Sequence, residues 1–143
     1  RIPRALLGNP KSPFVLDSSA VVIHRDKCVK IDGNLPVIQY FREPIPAFGS
    51  RFDRLKPSVD LIMLTITDFP EIRIGSINAA NTDYLLFSMY YQNDFTRLYR
   101  VYLPVKDMKA GLTHLMAAMP SVLRPGETRK TIDLRYEGRV TLK

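Results

Sequence analysis

The chain reads as an α+β domain, a mostly antiparallel curved sheet with two helices packed on it, and three patterns point there. Short runs rich in Val, Ile, Leu and Tyr recur between turn-forming residues, as the strands of a sheet do. Two longer segments place apolar residues three and four apart, the spacing of a helix with one buried stripe. Residues 131–143 alternate apolar and polar side chains without losing phase, the period of a strand packed on one side and wet on the other. At 143 residues, with 45% hydrophobic and 24% charged content, the chain can bury one core, so disorder is not the expectation.

Residues 13–16 and 20–24 are the first two strands in this reading. Asp17-Ser18-Ser19 joins them, since these side chains bond nearby backbone and favour turns. A polar stretch ends in Asp32-Gly33-Asn34, and Leu35-Pro36-Val37-Ile38 begins another extended piece. Pro44, Pro46, Gly49 and Pro57 interrupt residues 42–57, predicting a surface loop. After Leu55, the apolar residues Val59, Ile62, Met63, Ile66 and Phe69 fall at helical spacing, with Ser58 as cap and Pro70 as stop. The same segment, rich in Ile, Val and Thr, also suits a buried strand.

Residues 72–77, 84–91 and 96–103 are successive strands, the last two joined by a turn at Gln92-Asn93-Asp94-Phe95. Residues 84–91 are apolar on both faces, so this strand is expected to be central and covered on both sides. Val105, Met108, Leu112, Leu115, Met119 and Val122 mark a second helix, which Pro120 should end or bend.

In residues 131–143, Ile132, Leu134, Tyr136, Val140 and Leu142 fall on one face and the charged residues on the other. A two-residue hairpin at Glu137-Gly138 would set Leu134 opposite Thr141 and Tyr136 opposite Arg139, mixing apolar with polar. A single long strand bent at Gly138 fits the pattern better. If nothing covers that strand, its unpaired backbone groups are a template for another polypeptide, unless its charges are there to block such pairing; both readings stand on the residues alone.

The net charge of +7 points to an acidic partner, an acidic membrane surface or nucleic acid, without choosing among them. Leu98-Tyr99-Arg100-Val101-Tyr102 interleaves aromatic and basic residues, as a base-stacking sheet does, but a core aromatic beside a wet arginine makes the same pattern. His24 and Cys28 have His-x-x-x-Cys spacing, yet two ligands with no second pair make no zinc site. The only other histidine, His114, lies in the second helical pattern, far from Cys28. Asp60, Asp68, Asp94, Asp107 and Asp133 fall on separate caps, turns and faces, so no catalytic residues, metal or cofactor are expected. No apolar run reaches the length of a membrane span, and Ile2-Pro3-Arg4-Ala5-Leu6-Leu7 reads as the end of an element begun upstream.

Four motifs, in order, resemble the FtsQ/DivIB family of bacterial cell-division proteins. Residues 1–5, Arg-Ile-Pro-Arg-Ala, are similar to the family's ER-x-P-x-A segment, which closes its POTRA subdomain. Residues 14–23 resemble the following lvD-x-x-G-v-v-f hairpin, with Ala20 where the family usually has glycine. Leu35-Pro36-Val37-Ile38 resembles the LP-x-i that comes next, and Ile132-Asp133-Leu134-Arg135-Tyr136 the closing iDLRY strand.

The resemblance implies residues 1–8 as the remnant of a POTRA subdomain and 9–143 as an FtsQ-type β domain. It implies a single-pass inner-membrane protein whose folded part is periplasmic, at the division septum. Its role would be that of a non-enzymatic divisome scaffold, binding FtsB and FtsL and other late division proteins, with no nucleic acid. In the family a strand of FtsB adds to the last strand of this domain, and the arginine and tyrosine of DLRY are contacts. By position these are Arg135 and Tyr136, pointing to opposite faces, with Glu137, Gly138 and Arg139 beside them in the partner-binding set. A basic nucleic-acid-binding α+β domain is the alternative, and an enzyme a further rival.

Overall fold

A computed structural model of the chain describes residues 1–28 and 34–143; the Asp32-Gly33 end of the polar stretch lies outside the described residues. The fold is α+β, as expected, and among the described residues nine strands form one mixed sheet. In chain order they are β1 (Ala5–Leu7), β2 (Phe14–Leu16), β3 (Val22–His24), β4 (Val37–Gln39), β5 (Ile72–Asn78), β6 (Tyr84–Tyr91), β7 (Asp94–Pro104), β8 (Thr131–Asp133) and β9 (Thr141–Leu142). Helix α1 (Lys56–Asp68) precedes β5, and α2 (Met108–Val122) lies between β7 and β8.

Across the sheet the order is β3-β2-β1-β4-β5-β6-β7-β8-β9. Pairing is antiparallel except for β1 with β4, β4 with β5 and β7 with β8. The two α-containing crossovers, β4 to β5 and β7 to β8, are what make those neighbours parallel.

One register row crosses seven strands: Leu7, Ile38, Ile77, Phe87, Val101, Ile132 and Leu142 are successive partners. That row faces both helices, since Val59, Leu61 and Ile62 of α1 and Leu112, Leu115 and Met119 of α2 join the same core. Burying each such side chain contributes about 1.5–3 kcal/mol. A smaller cluster of Leu6, Val15 and Val37 lies apart from it.

Strand β1 pairs with both β2 and β4, and its three side chains are buried. Several expectations need correction. Strand β6 is covered on one side only: Leu85, Phe87 and Met89 are buried, while Tyr84, Leu86, Ser88 and Tyr90 are half-buried. Helix α1 starts before Ser58, with Pro57 in its first turn, so Ser58 is a buried core position rather than a cap. Pro120 lies inside α2, which ends two residues later at Val122.

The β6–β7 turn is tighter than expected. Tyr91 pairs with Asp94, and Gln92 and Asn93 both have positive φ, as a two-residue type I′ hairpin requires. The loop before α1 closes the β3 edge of the sheet: Val22 N–H donates to Ser50 O (2.9 Å), Gly49 N–H to Val22 O (2.8 Å) and Phe52 N–H to Ala20 O (2.7 Å). No described helix is long and apolar enough to cross a membrane.

Candidate functional site

The expected single strand over 131–143 is a hairpin instead. Ile132 pairs with Leu142 and Asp133 with Thr141, and Arg139 N–H closes the turn on Tyr136 O at 3.1 Å. The register centres the loop on Glu137, one position off the two-residue hairpin, so it holds an odd number of residues and apolar still meets apolar across the pair. Gly138 (φ +68°) supplies the positive φ at the third turn position that a side chain resists. β8 is therefore paired on both sides, with β7 and β9, and the edge of the sheet passes to β9.

Hydrogen bonds run both ways between Thr131 and Lys143, so the alternation of an antiparallel pair turns the backbone of Leu142 outward. Its carbonyl lies 3.4 Å from Arg129 Nη1. Arg129 is itself fixed by a two-point bond to Glu127, Nε to Oε2 at 3.1 Å and Nη2 to Oε1 at 2.8 Å. Those hydrogen bonds pull the Glu127 carboxyl down to about 2.

Asp133 has no exposed surface. Its carboxylate accepts from Arg135 Nε (3.0 Å to Oδ1), Arg135 Nη2 (2.8 Å to Oδ2), the Arg135 N–H (3.0 Å) and Lys143 Nζ (2.9 Å). The Arg135 hydrogen bonds hold its carboxyl well below the usual carboxylate range, and Asp133 in turn raises the Arg135 guanidinium. The guanidinium lies 4.1 Å from the Tyr102 ring centre, 4.9 Å from that of Tyr84 and 6.0 Å from that of Tyr136. Arg135 and Tyr136 are thus neighbours in a loop, not opposed residues of one strand.

Of the expected partner-binding set, Arg135, Tyr136, Glu137, Gly138 and Arg139 all come together at this hairpin tip, with Tyr136 to Arg139 exposed. Asp133, Lys143, Tyr84 and Tyr102 complete the cluster and were not in the partner-binding set expected from sequence. The signal was there: Asp133 and Arg135 share parity, so an acid and a base sit two apart on one strand face.

His24 Nδ1 accepts from Asp26 N–H at 3.2 Å, and Cys28 Sγ lies 3.5 Å from His24 O. Among the described residues no three His, Cys, Asp or Glu side chains converge as metal ligands. The acids are separately engaged: Asp60 with Lys56, Asp68 with Lys109, Asp94 with Thr96, and Asp107 as the α2 cap on Ala110 N–H. Neither a family model nor a curated protein matches the chain.

Proposed function

We propose that this is the extracytoplasmic β domain of an FtsQ/DivIB-type protein, a non-enzymatic divisome scaffold that binds the FtsB/FtsL pair by strand addition at its C-terminal edge. The observation that carries the reading is β9: it is the last strand of the sheet, two residues long, with the Leu142 N–H turned outward beside a cluster of Arg135, Tyr136 and Lys143. Strand addition draws affinity from such main-chain groups and selectivity from side chains next to them. Tyr136, 56% exposed, is the amphipathic anchor. Arg135 spends Nε and Nη2 on Asp133, which leaves Nη1 for an acidic residue of the partner. The whole protein, on this reading, is anchored by one upstream helix in the inner membrane with this domain in the periplasm at the septum.

The nucleic-acid alternative has less support. Tyr84 and Tyr102 pack on each other at 5.8 Å and Arg135 covers Tyr102, so these rings are already occupied as stacking platforms. The test is binding of a soluble FtsB/FtsL heterodimer to the chain and to Leu142→Pro and Tyr136→Ala variants, each checked by circular dichroism. Leu142→Pro removes an N–H that β8 does not use, and Tyr136→Ala removes an exposed ring, so both variants should keep the fold. Each should weaken binding by about 2 kcal/mol or more. Unchanged affinity in both folded variants rejects strand addition at this edge.

A further inference from the structure

The sheet has a second open edge, inside its own span. β4 meets β5 only at Ser76, Ile77 and Asn78, so residues 72–75 have β6 on one side and, among the described residues, no strand on the other. Gln92 N–H donates to Glu71 O (2.8 Å), and the antiparallel register continues through Ile72 with Tyr91 and Arg73 with Tyr90. The alternation therefore directs the backbone of Glu71 and Arg73 to β6 and that of Ile72 and Ile74 away from it. Phe69 O takes the Ile72 N–H at 3.0 Å. Among the described residues, the Ile72 carbonyl and both backbone groups of Ile74 are left on the unpaired side.

A cavity of about 320 Å³ lies there, walled by Ile72 and Ile74, by Ile62 and Ile66 of α1, and by Leu35 and Pro36 ahead of β4. Ile66 is 51% exposed although it belongs to an amphipathic helix. Two arginines, Arg4 and Arg73, line the same space. Arg4 Nε is buried without a hydrogen-bond partner among the described residues, a state that costs free energy until an acceptor arrives.

We propose that this cavity takes an extended, acidic peptide segment of a partner protein. Its backbone adds to residues 72–75 as a short strand, a carboxylate reaches Arg4 and Arg73, and an aliphatic side chain lies against Ile62 and Ile66. The charge identifies the acid and the walls identify the aliphatic neighbour. The unpaired strand identifies a peptide, because a small anion supplies acceptors for the arginines but no alternating donors and acceptors for Ile72 and Ile74.

The experiment is amide NMR of the ¹⁵N-labelled chain titrated with a capped hexapeptide alternating Val and Glu. The controls are the matched Val and Gln peptide, the Val and Glu peptide N-methylated at alternate backbone nitrogens, and free glutamate. Shifts should centre on Arg4 and residues 72–75. The Gln peptide, the N-methylated peptide and an Arg4→Gln chain should each bind about tenfold more weakly or worse. Ile66→Asp, at a half-exposed site, should lose binding even where Arg4→Gln fails to fold, while Leu142→Pro should leave it unchanged. Equal binding of the Gln or N-methylated peptide, competition by free glutamate at matched concentration, shifts confined to residues 141–143, or no shifts at millimolar peptide each overturns the proposal.

Discussion

Asp133 is a carboxylate with no exposed surface, tolerated because Arg135 and Lys143 give it four hydrogen bonds. Its native titration lies below the ordinary 3.8, so its ionised form binds better in the folded state than in the unfolded one. The contribution to stability is then complete well above pH 3.8 and drains away as pH falls through that value towards the lowered native one. Asp133→Asn should cost about 1–3 kcal/mol at pH 7, and the gap to wild type should narrow at pH 3. Urea unfolding of both proteins at the two pH values measures this, and a gap that does not change with pH would contradict the lowered titration. Glu127 drains in the same direction but is common to both proteins and cancels. Arg135→Ala is the less useful binding variant, because it strips Asp133 of two of its four hydrogen bonds as well as removing a contact. At this scale the sequence was partly informative. Ala20, where the resembled family carries glycine, has φ +60°, the left-handed conformation glycine adopts freely. The buried state of Asp133 was not legible, since a wet strand face and a paired, covered one have the same spelling.

Helix α2 shows the element that sequence describes best. Leu112, Leu115, Met119 and Val122 are buried as their spacing predicts, and its seat on β7 depends on a glycine the spacing does not explain. A Cβ at Gly111 would stand 2.5 Å from Leu103 Cδ1, and Leu103 has no exposed surface into which to move. Two effects oppose each other in Gly111→Ala. Helix propensity favours alanine by up to about 1 kcal/mol, whereas overpacking a tight core costs about 1–3 kcal/mol. Overpacking should win, giving a net loss of up to about 2 kcal/mol in chemical denaturation; a stabilised variant would show that α2 lifts off β7 at little cost. Helix α1 was legible as a helix and in most of its face, with Val59, Ile62 and Phe69 buried, but not at Thr65 and Ile66. Thr65 is buried because its hydroxyl donates to Ile62 O at 2.8 Å, while apolar Ile66 is exposed beside the cavity. The terminal hairpin was missed for a reason of parity. A two-residue loop sets apolar opposite polar, but a loop one residue longer preserves the alternation as well as an unbroken strand does.

The sheet order was the least legible property of the whole molecule. β1 lies beside β4, thirty or so positions along the chain, and nothing in either tripeptide names the other as neighbour. The same non-local pairing buries residues 5–7 between β2 and β4. Sheet order also decides what the two outer edges can do. The β3 edge is sealed by three backbone hydrogen bonds from residues 49–52, whereas the outer side of β9 meets one long contact from Arg129, its pairing with β8 and the Thr131–Lys143 bonds lying on the inner side. A binding surface at β9 rests on main-chain bonds and one or two charges, and that sets its response to salt. Phosphate binding releases a counterion for each contact, so six to ten contacts would lose about a thousandfold or more in affinity between about 50 and 200 mM salt. Strand addition with a single Arg135 contact should lose about fivefold or less over the same range, since only its charged part is screened. Measuring FtsB/FtsL heterodimer and a mixed-sequence oligonucleotide side by side at both salt concentrations separates the two readings of the +7 charge. A shallow slope for the heterodimer with oligonucleotide binding already weak at 50 mM is the expected result. Tight oligonucleotide binding that collapses with salt, beside a heterodimer that does not bind, would move the function to nucleic acid and leave β9 as an unused edge.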